Sequence, residues 1–263
     1  NRDSPLLQQG QSSVRRAKFD FRRRYRNRCG SDGAGPSVTR MPTQQRITVL
    51  GAGGRAGSAI TRRVLGEGHR VTALVRSGAR HPWLEGSGVT VVEGDATDPA
   101  DVARAVTDAD AVINAVTPFS APPASFDGFD ESFYERVIGA ILAGIRSSGV
   151  RIVTVGLSAD LRLPDGRVVA DDPELFPPAL RPFARAHARE RLALEATSST
   201  PDWLIVVPPA GVSAEARSDG YVLAEPVFSD AALSYDSLAA AVADEAVRPT
   251  RRGSALVLPR TQG

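Results

Sequence analysis

The stretch ITVLGAGGRAGSAI, residues 47–60, joins a short β-branched apolar run to a glycine-rich turn and then to a helix-forming segment. Gly51, Gly54 and Gly57 form the pattern G-x-x-G-x-x-G. In such a strand–turn–helix the first glycine makes the tight turn and the last lets the helix pack on the strand, while Gly53 or Gly54 lets the backbone approach a pyrophosphate. The helix N-terminus offers free N–H groups to the phosphates. The sequence therefore predicts a dinucleotide site here; the alternative is an ordinary glycine-rich turn.

The end of the next predicted strand indicates which dinucleotide binds. Val71–Val75 is followed by Arg76, where an NAD site usually carries a carboxylate for the ribose hydroxyls. A carboxylate would repel a 2′-phosphate, whereas an arginine can make bidentate, charge-assisted bonds to it. Arg55, inside the glycine turn, and Arg80 add positive charge nearby. The sequence predicts NADP(H) rather than NAD(H); the alternative is that Arg76 is a solvated residue at the sheet edge.

Two later segments complete the predicted cofactor site. In VVEGDATD (residues 91–98), Asp95 is placed to accept a hydrogen bond from the adenine amino group. In DAVINAVTPF (residues 110–119), the end of a fourth strand would pass near the ribose and the nicotinamide. The predicted cofactor-binding residues are Gly51, Gly53, Gly54, Arg55, Ala56, Gly57, Arg76, Asp95, Ala96, Asn114, Ala115 and Val116.

Short apolar runs alternate with helical patterns along the rest of the chain. The predicted strands are Ile47–Leu50, Val71–Val75, Val89–Glu93, Ala111–Asn114, Ile152–Val155, Trp203–Val207 and Ser254–Leu258. The predicted helices are Ala56–Glu67, Pro99–Thr107, Glu131–Ser148, Pro182–Thr197 and Asp236–Val247. Most of these strands lack polar alternation, as expected for strands buried on both faces of a parallel sheet. The sequence predicts an α/β, Rossmann-like, doubly wound and mostly parallel sheet flanked by helices, in a single domain over residues 41–263 with a disordered N-terminal tail.

Residues 1–40 differ in composition from the rest. They carry ten basic and three acidic residues, a net charge of +7, which leaves −5 for the remainder of a chain whose total is +2. With few large apolar residues and no periodicity, this segment is predicted to be disordered. Its arginines and aromatics could form a nucleic-acid-binding arm. The favoured interpretation is a leader, an upstream-translated stretch or a segment added for expression, since the only methionine is Met41.

Composition also restricts the classes of protein. No stretch approaches the ~18 apolar residues of a membrane span, so no membrane anchoring is expected. The single cysteine, Cys29, excludes a disulfide framework within the chain, and no cluster has the spacing of metal ligands. We expect a cytoplasmic protein, monomer or homodimer, that binds a small-molecule substrate and no nucleic acid through its folded body. Arginine- and alanine-rich, lysine-poor usage suggests a bacterial source.

These motifs resemble the short-chain dehydrogenase/reductase superfamily in its atypical branch. GAGGRAG stands where those proteins often have GATGxxG, and GDATD matches their G-D-x-x-D segment after the third strand. Later landmarks (VTVGLSADL, DDPELFPP, PDWLIVVPPAG and LSYDSLAAAVADE) are similar to those of NAD(P)H-binding proteins akin to biliverdin reductase B/flavin reductase and to NmrA-like proteins. The resemblance, over residues 45–259, implies a reductase fold with a bound dinucleotide.

The usual catalytic pair of that superfamily, Tyr-x-x-x-Lys, is absent. Lys18 is the only lysine, and the segment after the fifth strand reads Phe183-Ala-Arg-Ala-His187. His187 could exchange a proton, because an unperturbed histidine titrates near ~6.5; the alternative is a partly exposed helix residue among arginines. Tyr134 is a second candidate proton donor; the alternative is an aromatic residue packed in the core. Ser158 could form a hydrogen bond to the nicotinamide amide or to the substrate; the alternative is that it caps a turn. The other histidines, His69 and His81, are expected to lie away from the site.

The predicted function is NADPH-dependent hydride transfer to a small conjugated, quinone-like or flavin-like acceptor, which needs little proton assistance. Two Pro/Gly-rich segments, residues 117–129 and 161–178, are interpreted as substrate loops, with plain surface connections as the alternative. Their phenylalanines would line an aromatic pocket: Phe119, Phe126, Phe129 and Phe176. Two alternatives remain open, an NADP-sensing NmrA-like regulator without turnover and a non-redox cyclase or isomerase on the same fold.

Overall fold

The computed structural model describes residues 43–260 except 87, 120–122, 124, 127, 146–148, 198–200 and 219. The predicted tail at residues 1–40 lies outside this part. The strands are β1 (Arg46–Leu50), β2 (Arg70–Val75), β3 (Val89–Glu93), β4 (Ala111–Asn114), β5 (Arg151–Val155), β6 (Asp202–Val207), β7 (Gly211–Ser213), β8 (Tyr221–Ala224), β9 (Ala232–Ser234) and β10 (Gly253–Pro259). The helices are α1 (Arg55–Gly66), α2 (Pro99–Val106), α3 (Phe133–Gly144), α4 (Arg181–Glu195) and α5 (Tyr235–Val247).

Eight strands form one sheet in the order β3-β2-β1-β4-β5-β6-β10-β8. All neighbours pair in parallel except β8, which runs antiparallel to β10 at the edge. Alternate residues of the central strands enter two buried clusters, one beneath α1 and α5 and the other beneath α2, α3 and α4. Burial on both faces explains why the strands read as uninterrupted apolar runs. The predicted doubly wound α/β sheet is confirmed.

The strand order reverses between β1 and β4, which are neighbours in the sheet. The segments that follow these two strands therefore run to opposite faces of the sheet, and a crevice opens between them. Ligands of open α/β sheets bind at such a switch point, beyond the carboxyl ends of the strands. The glycine turn follows β1 and residues 115–116 follow β4. The topology thus places both predicted cofactor segments at one edge of the sheet.

Two local expectations needed correction. The third helix was expected over residues 131–148, but α3 ends at Gly144 because Ile145 takes an extended backbone, with φ −72° and ψ 128°. A Cβ at Gly144 would lie 2.8 Å from Val106 Cγ2 and 3.0 Å from Ala103 Cα, so the helix ends where it packs tightly on α2. The short strands β7, β8 and β9 were not predicted at all.

Side chains cap the starts of two helices, and a cation–π contact joins a third helix to the segment after β2. Asp98 accepts from the N–H groups of Ala100 and Asp101 at the start of α2, and Ser234 accepts from that of Ser237 at the start of α5. The guanidinium of Arg62 on α1 lies 4.7 Å above the ring of Trp83, in the segment that follows β2. Within the described part of the chain, no helix is long and apolar enough to cross a membrane.

Candidate functional site

The glycine turn has little room for side chains. Gly51 adopts φ +77°, and a Cβ there would lie 2.7 Å from the carbonyl oxygen of Ala115. A Cβ on Gly57 would overlap the carbonyl oxygen of Gly51. The first glycine therefore permits the left-handed turn and the approach of the strand that follows, and the last permits the helix to close on the turn. Both roles agree with those expected for a dinucleotide-binding turn.

The N-terminus of α1 is open to a ligand. Gly54 is its N-cap, no side chain caps it, and the first turn carries no acidic residue. A Cβ on Gly54 would meet only the carbonyl oxygen of Gly51, at 3.3 Å. Because a free helix N-terminus presents N–H donors and a positive dipole end, this cradle fits a pyrophosphate.

The expectation that His81 lies away from the site is wrong. Its imidazole lies directly over Gly53, so that a Cβ at that position would overlap the ring. Gly53 is therefore needed to admit the imidazole. Of the two glycines considered for close approach of a pyrophosphate, Gly54 has the free space and Gly53 does not.

Arg55, Arg76 and Arg80 give this end of the sheet an uncompensated positive charge. All three side chains are exposed, and none makes a hydrogen bond or an ion pair with a described residue. Many other arginines of the described part are paired with carboxylates, for example Arg248 with Asp244 at 2.6 Å. The carboxylate of Glu93, at the end of β3, accepts from the backbone N–H of Gly78 at 2.6 Å. Free guanidinium groups beside an open helix N-terminus fit a phosphate-bearing ligand.

The remaining predicted cofactor residues divide into two groups. Asp95 is exposed, and its Oδ1 accepts from both the N–H and the hydroxyl of Thr97 at 2.8 Å, so one carboxylate oxygen is engaged within its own turn. Ala96 is almost fully buried beside it. Ala115 and Val116 lie against Gly51 through their backbone atoms. The side chain of Asn114 is buried and is turned towards α4 rather than towards the glycine turn.

His187 and Tyr134 come together in the interior. His187 is 7% exposed, not the partly exposed residue of the alternative interpretation, and its ring lies 4.0 Å from the ring of Tyr134 at a 31° tilt. Burial, together with the charge of Glu190, raises the pKa of Tyr134, and a hydrogen bond from Thr117 opposes the shift. The phenol therefore keeps its proton at physiological pH.

A carboxylate that the sequence did not single out bonds to His187. Glu190 Oε2 lies 3.0 Å from His187 Nδ1, and Glu190 Oε1 accepts from Asn114 Nδ2 at 2.9 Å. Glu190 is 1% exposed. The i, i+3 spacing of His187 and Glu190 on a predicted helix was a signal for this pair. The contact with Asn114 was not foreseeable, because it depends on how α4 lies across the end of β4.

A cleft of about 230 Å³ opens beside this pair, between α4 and the carboxyl ends of β5 and β6. His187, Glu190 and Arg191 line one side, and Asp160 and Arg162 line the other. Burial raises the pKa of Asp160, while Arg191 and His187 oppose that shift. The cleft thus combines these charged side chains with apolar ones, among them Leu161, Ile205 and Val207, beside the buried histidine.

Ser158 is not part of that cleft. It begins a short helical turn, Ser158–Asp160, and its carbonyl oxygen accepts from the N–H of Leu161 at 3.1 Å. Its flanking residues Leu157 and Asp160 line the cleft, but Ser158 does not. Its hydroxyl has no hydrogen-bond partner among the described residues.

Four phenylalanines form an aromatic cluster next to His187. The rings of Phe119, Phe126, Phe129 and Phe183 lie 5.3–6.0 Å apart, which joins the loop after β4 to the start of α4. Phe183 also meets His187 edge-on at 4.9 Å. The expectation that Phe176 lines the same pocket is wrong, because that ring is buried in the core beneath α2, α3 and α4. The residues of this loop at 120–122, 124 and 127 lie outside the described part.

Among the described residues, no group of three or more histidine, cysteine, aspartate or glutamate side chains is placed to hold a metal ion. The donors that converge at the glycine turn are instead backbone N–H groups and guanidinium groups. That set suits phosphate oxygens.

Comparison with known proteins supports this description. A family model described as NAD(P)H-binding matches residues 51–249. The chain is 34% identical over 107 residues to the 2-alkyl-3-oxoalkanoate reductase of Stenotrophomonas maltophilia, an alignment that covers 40% of this chain and 31% of that protein. This chain therefore matches less than a third of the length of that relative.

Solved structures share the fold. A candidate NADH-flavin reductase from Streptococcus pneumoniae superposes with a TM-score of 0.67 at 23% identity, over 82% of this chain and 100% of that one. A short-chain dehydrogenase/reductase from Veillonella parvula in complex with NADP gives a TM-score of 0.59 at 20% identity, over 81% of this chain and 94% of that one.

Proposed function

This chain belongs to the NAD(P)H-binding family, and from that premise we propose that it is an NADPH-dependent oxidoreductase acting on a small conjugated acceptor such as a quinone, a flavin or an enone. The observation that carries the cofactor preference is Arg76, an exposed and unpaired guanidinium at the carboxyl end of β2. Arg55 and Arg80 add to the charge available to a 2′-phosphate. The NADP found in one protein of similar fold is consistent with this choice.

Residues of the chain would hold the cofactor as follows. The N–H groups of α1 and the open side of Gly54 would bind the pyrophosphate, Arg76 the 2′-phosphate, and Asp95 through its second carboxylate oxygen the adenine amino group. The backbone of Ala115 and Val116 would pass the ribose and the nicotinamide. When bound, NADPH supplies a hydride, and with it an electron pair, to the acceptor.

The aromatic cluster supports the acceptor class. Four phenylalanine rings within 6.0 Å of one another, next to the buried His187, offer the apolar faces on which a planar conjugated molecule stacks. We assign to His187 the role of proton donor and to Tyr134 that of a neutral packing partner. Ser158, with its uncommitted hydroxyl at the end of β5, would bond the carboxamide of the nicotinamide or the acceptor.

Calorimetric titration tests the cofactor preference directly. Arg76→Ala should weaken NADPH binding by about 10- to 100-fold, the value of a hydrogen bond between charged groups, and leave NADH binding unchanged. Arg76→Asp should reverse the preference, because the carboxylate repels the 2′-phosphate and accepts from the ribose hydroxyls. Arg248→Ala is the matched control, since that exposed arginine is paired with Asp244 on the far side of the domain. Wild-type protein that binds NADH as tightly as NADPH would overturn the assignment.

Loss of NADPH absorbance with a panel of quinones, flavins and enones tests the activity. Oxidation of NADPH with at least one acceptor supports the proposed function. Tight binding of NADPH without oxidation across the panel would instead favour a sensor of the NmrA type or a non-redox enzyme.

A further inference from the structure

Three buried side chains form a directed chain of hydrogen bonds at the bottom of the site. The backbone N–H of Val116 donates to Asn114 Oδ1 at 3.2 Å, which leaves Asn114 Nδ2 to donate to Glu190 Oε1 at 2.9 Å. The other carboxylate oxygen, Oε2, lies 3.0 Å from His187 Nδ1. Because the amide orientation of Asn114 is set by the backbone, the direction of both hydrogen bonds of this side chain follows from the geometry.

This direction determines where the histidine carries its proton. A carboxylate only accepts hydrogen bonds, so Nδ1 of His187 must carry a hydrogen in both the neutral and the protonated ring. Nε2 has no hydrogen-bond partner among the described residues, and His187 lines the cleft. Tyr134 covers a face of the ring and Phe183 meets it edge-on. Nε2 is therefore the ring nitrogen that remains available to a molecule in the site.

Stability does not account for this arrangement. Glu190 and His187 are both more than nine-tenths buried, and the desolvation of a buried pair commonly cancels its attraction. A well-packed apolar pair would stabilise the helix packing as well. The groups around the ring differ in charge. Tyr134 is neutral and Glu190 contacts Nδ1, while the charged side chains of Asp160, Arg162 and Arg191 line the cleft. A buried carboxylate that holds a histidine by one nitrogen and leaves the other free is the arrangement of an acid–base pair.

We propose that Asn114 and Glu190 are positioning residues that hold His187 with its proton on Nδ1, so that Nε2 delivers a proton to the acceptor. The proposal rests on the proposed function and goes beyond it, since it assigns a role to two residues that would not touch the acceptor. The protonated imidazole breaks its Nε2–H bond and keeps the electron pair. The acceptor, reduced by two electrons as it receives the hydride, takes up the proton at the atom that would otherwise carry the negative charge. The solvent then returns a proton to Nε2.

Nitrogen-15 NMR of the imidazole rings tests the geometry without any turnover. The chain has three histidines, so the signals can be assigned with one variant each. We expect the neutral ring of His187 to be the Nδ1–H tautomer, whereas an unconstrained histidine favours Nε2–H. In Glu190→Gln, Asn114 still needs an acceptor, so the new amide presents its NH₂ to Nδ1 and the ring should change to the Nε2–H tautomer. Wild-type protein with the Nε2–H tautomer would overturn the proposal.

The reaction rate gives the second readout. Glu190→Gln should lower kcat by about 100-fold or more, the usual contribution of acid–base catalysis, and leave the Kd for NADPH unchanged. The loss should be largest with an enone, which must gain a proton, and smallest with an acceptor that stays an anion after reduction. His187→Gln, whose amide can still donate to Glu190 and preserve the packing, should lower kcat to a similar extent.

Glu135→Gln is the matched control, because it also removes a carboxylate bonded to α4, but one that is exposed and paired with Arg189 at 3.3 Å. It should change neither the tautomer nor kcat. A Glu190→Gln protein that melts like the wild type and retains full kcat with an enone would overturn the proposal. Failure of the wild type to oxidise NADPH with any acceptor would overturn the proposed function and the proton-donor role together. Turnover with the Nε2–H tautomer would overturn the positioning role alone.

Discussion

At the scale of single residues, the glycine turn shows which positions tolerate a side chain. Gly57 closes α1 onto the turn, and Gly139 lies on the exposed side of α3 with nothing within 4 Å of an added Cβ. Both are helical glycines, yet their environments are opposite. Substitution of these two glycines by alanine therefore separates two effects. At Gly57 the added methyl tests close packing, and at Gly139 it tests the loss of backbone freedom in the unfolded chain.

Gly57→Ala should destabilise the protein by about 1–3 kcal/mol, because the added methyl overlaps the carbonyl oxygen of Gly51 and must displace it. The same variant should bind NADPH more weakly, since the turn shifts. Gly139→Ala should instead stabilise by about 0.5–1 kcal/mol through the lower entropy of the unfolded chain. Urea unfolding measures both. Equal effects of the two substitutions would contradict the packing described for the turn.

At the scale of elements, a turn with charged side chains directly precedes α3. Asp130 accepts from the N–H and hydroxyl of Ser132 and pairs with Arg136 at 2.5 Å. The hydrogen bond from Arg136, followed by that from Ser132, lowers the pKa of Asp130 to about 2. A carboxyl whose pKa is lower in the folded state adds stability above its unfolded value of 3.8 and loses that contribution as the pH falls towards 2.

Asp130→Asn should therefore lower Tm by a constant amount from pH 7 to pH 5. The difference between variant and wild type should then shrink as the pH falls below 4, because the wild-type carboxyl becomes protonated as well. Thermal melts across this range measure it. Asp165→Asn, a change in an exposed loop carboxylate paired with Arg167, shows how much of the effect belongs to α3. A difference that grows on acidification would exclude this role for Asp130.

The amino ends of β5 and β6 are joined to α5 by a buried ion network. Arg151, 4% exposed, pairs with Glu245 at 3.2 Å and with Asp202 at 2.6 Å. Glu245 also accepts from the backbone N–H groups of Thr250 and Arg251. Loss of the carboxylate therefore leaves the guanidinium and both backbone N–H groups without this acceptor, whereas loss of the guanidinium leaves Glu245 hydrogen-bonded to the backbone.

Glu245→Leu should destabilise by about 3–5 kcal/mol, the usual result of leaving a buried charge without its partner. Arg151→Met should cost less, because Glu245 keeps its backbone donors. The double variant should be more stable than the sum of the two effects predicts, which a double-mutant cycle in urea measures. Additive effects would mean that the two side chains do not interact.

The elements differ in how well the sequence predicts them. The strands β1, β2, β4, β5 and β6 are largely buried, so an apolar run suffices to locate them, and the helices around them follow the apolar periodicity. Strands β7, β8 and β9 are three or four residues long, too short to form an apolar run. β8 lies at the edge of the large sheet, and β7 and β9 form a separate two-stranded sheet. The glycine turn was recognisable because its requirements are local. The contact of Glu190 with Asn114 and the position of His81 over Gly53 were not, since both depend on contacts between parts of the chain that the sequence does not place together.

At the scale of the whole molecule, the charge is divided unequally. Residues 1–40 carry +7, and the rest of the chain carries −5. Every residue of the two described core clusters lies between Ile47 and Val257, and the family match begins at residue 51. The residues proposed to bind the cofactor likewise all follow the basic segment in the chain.

Deletion of residues 1–40 should therefore leave Tm and the Kd for NADPH unchanged. Binding to polyanions such as heparin should be lost, because the remaining chain is acidic. Calorimetry and an ion-exchange elution profile measure the two quantities. A weaker Kd for NADPH in the shortened protein would show that the basic segment takes part in the cofactor site.

The contact of His81 with Gly53 has a practical consequence. The segment that carries His81 also carries Trp83, whose ring lies under Arg62 of α1, the helix that begins at the glycine turn. The only other tryptophan, Trp203, begins the apolar run of β6 away from this edge. If a nucleotide occupies the turn as proposed, we expect it to alter the surroundings of Trp83 and to leave those of Trp203 unchanged. The unlabelled protein would then carry its own optical probe, in which emission from Trp83 reports nucleotide binding and Trp203 serves as an internal reference.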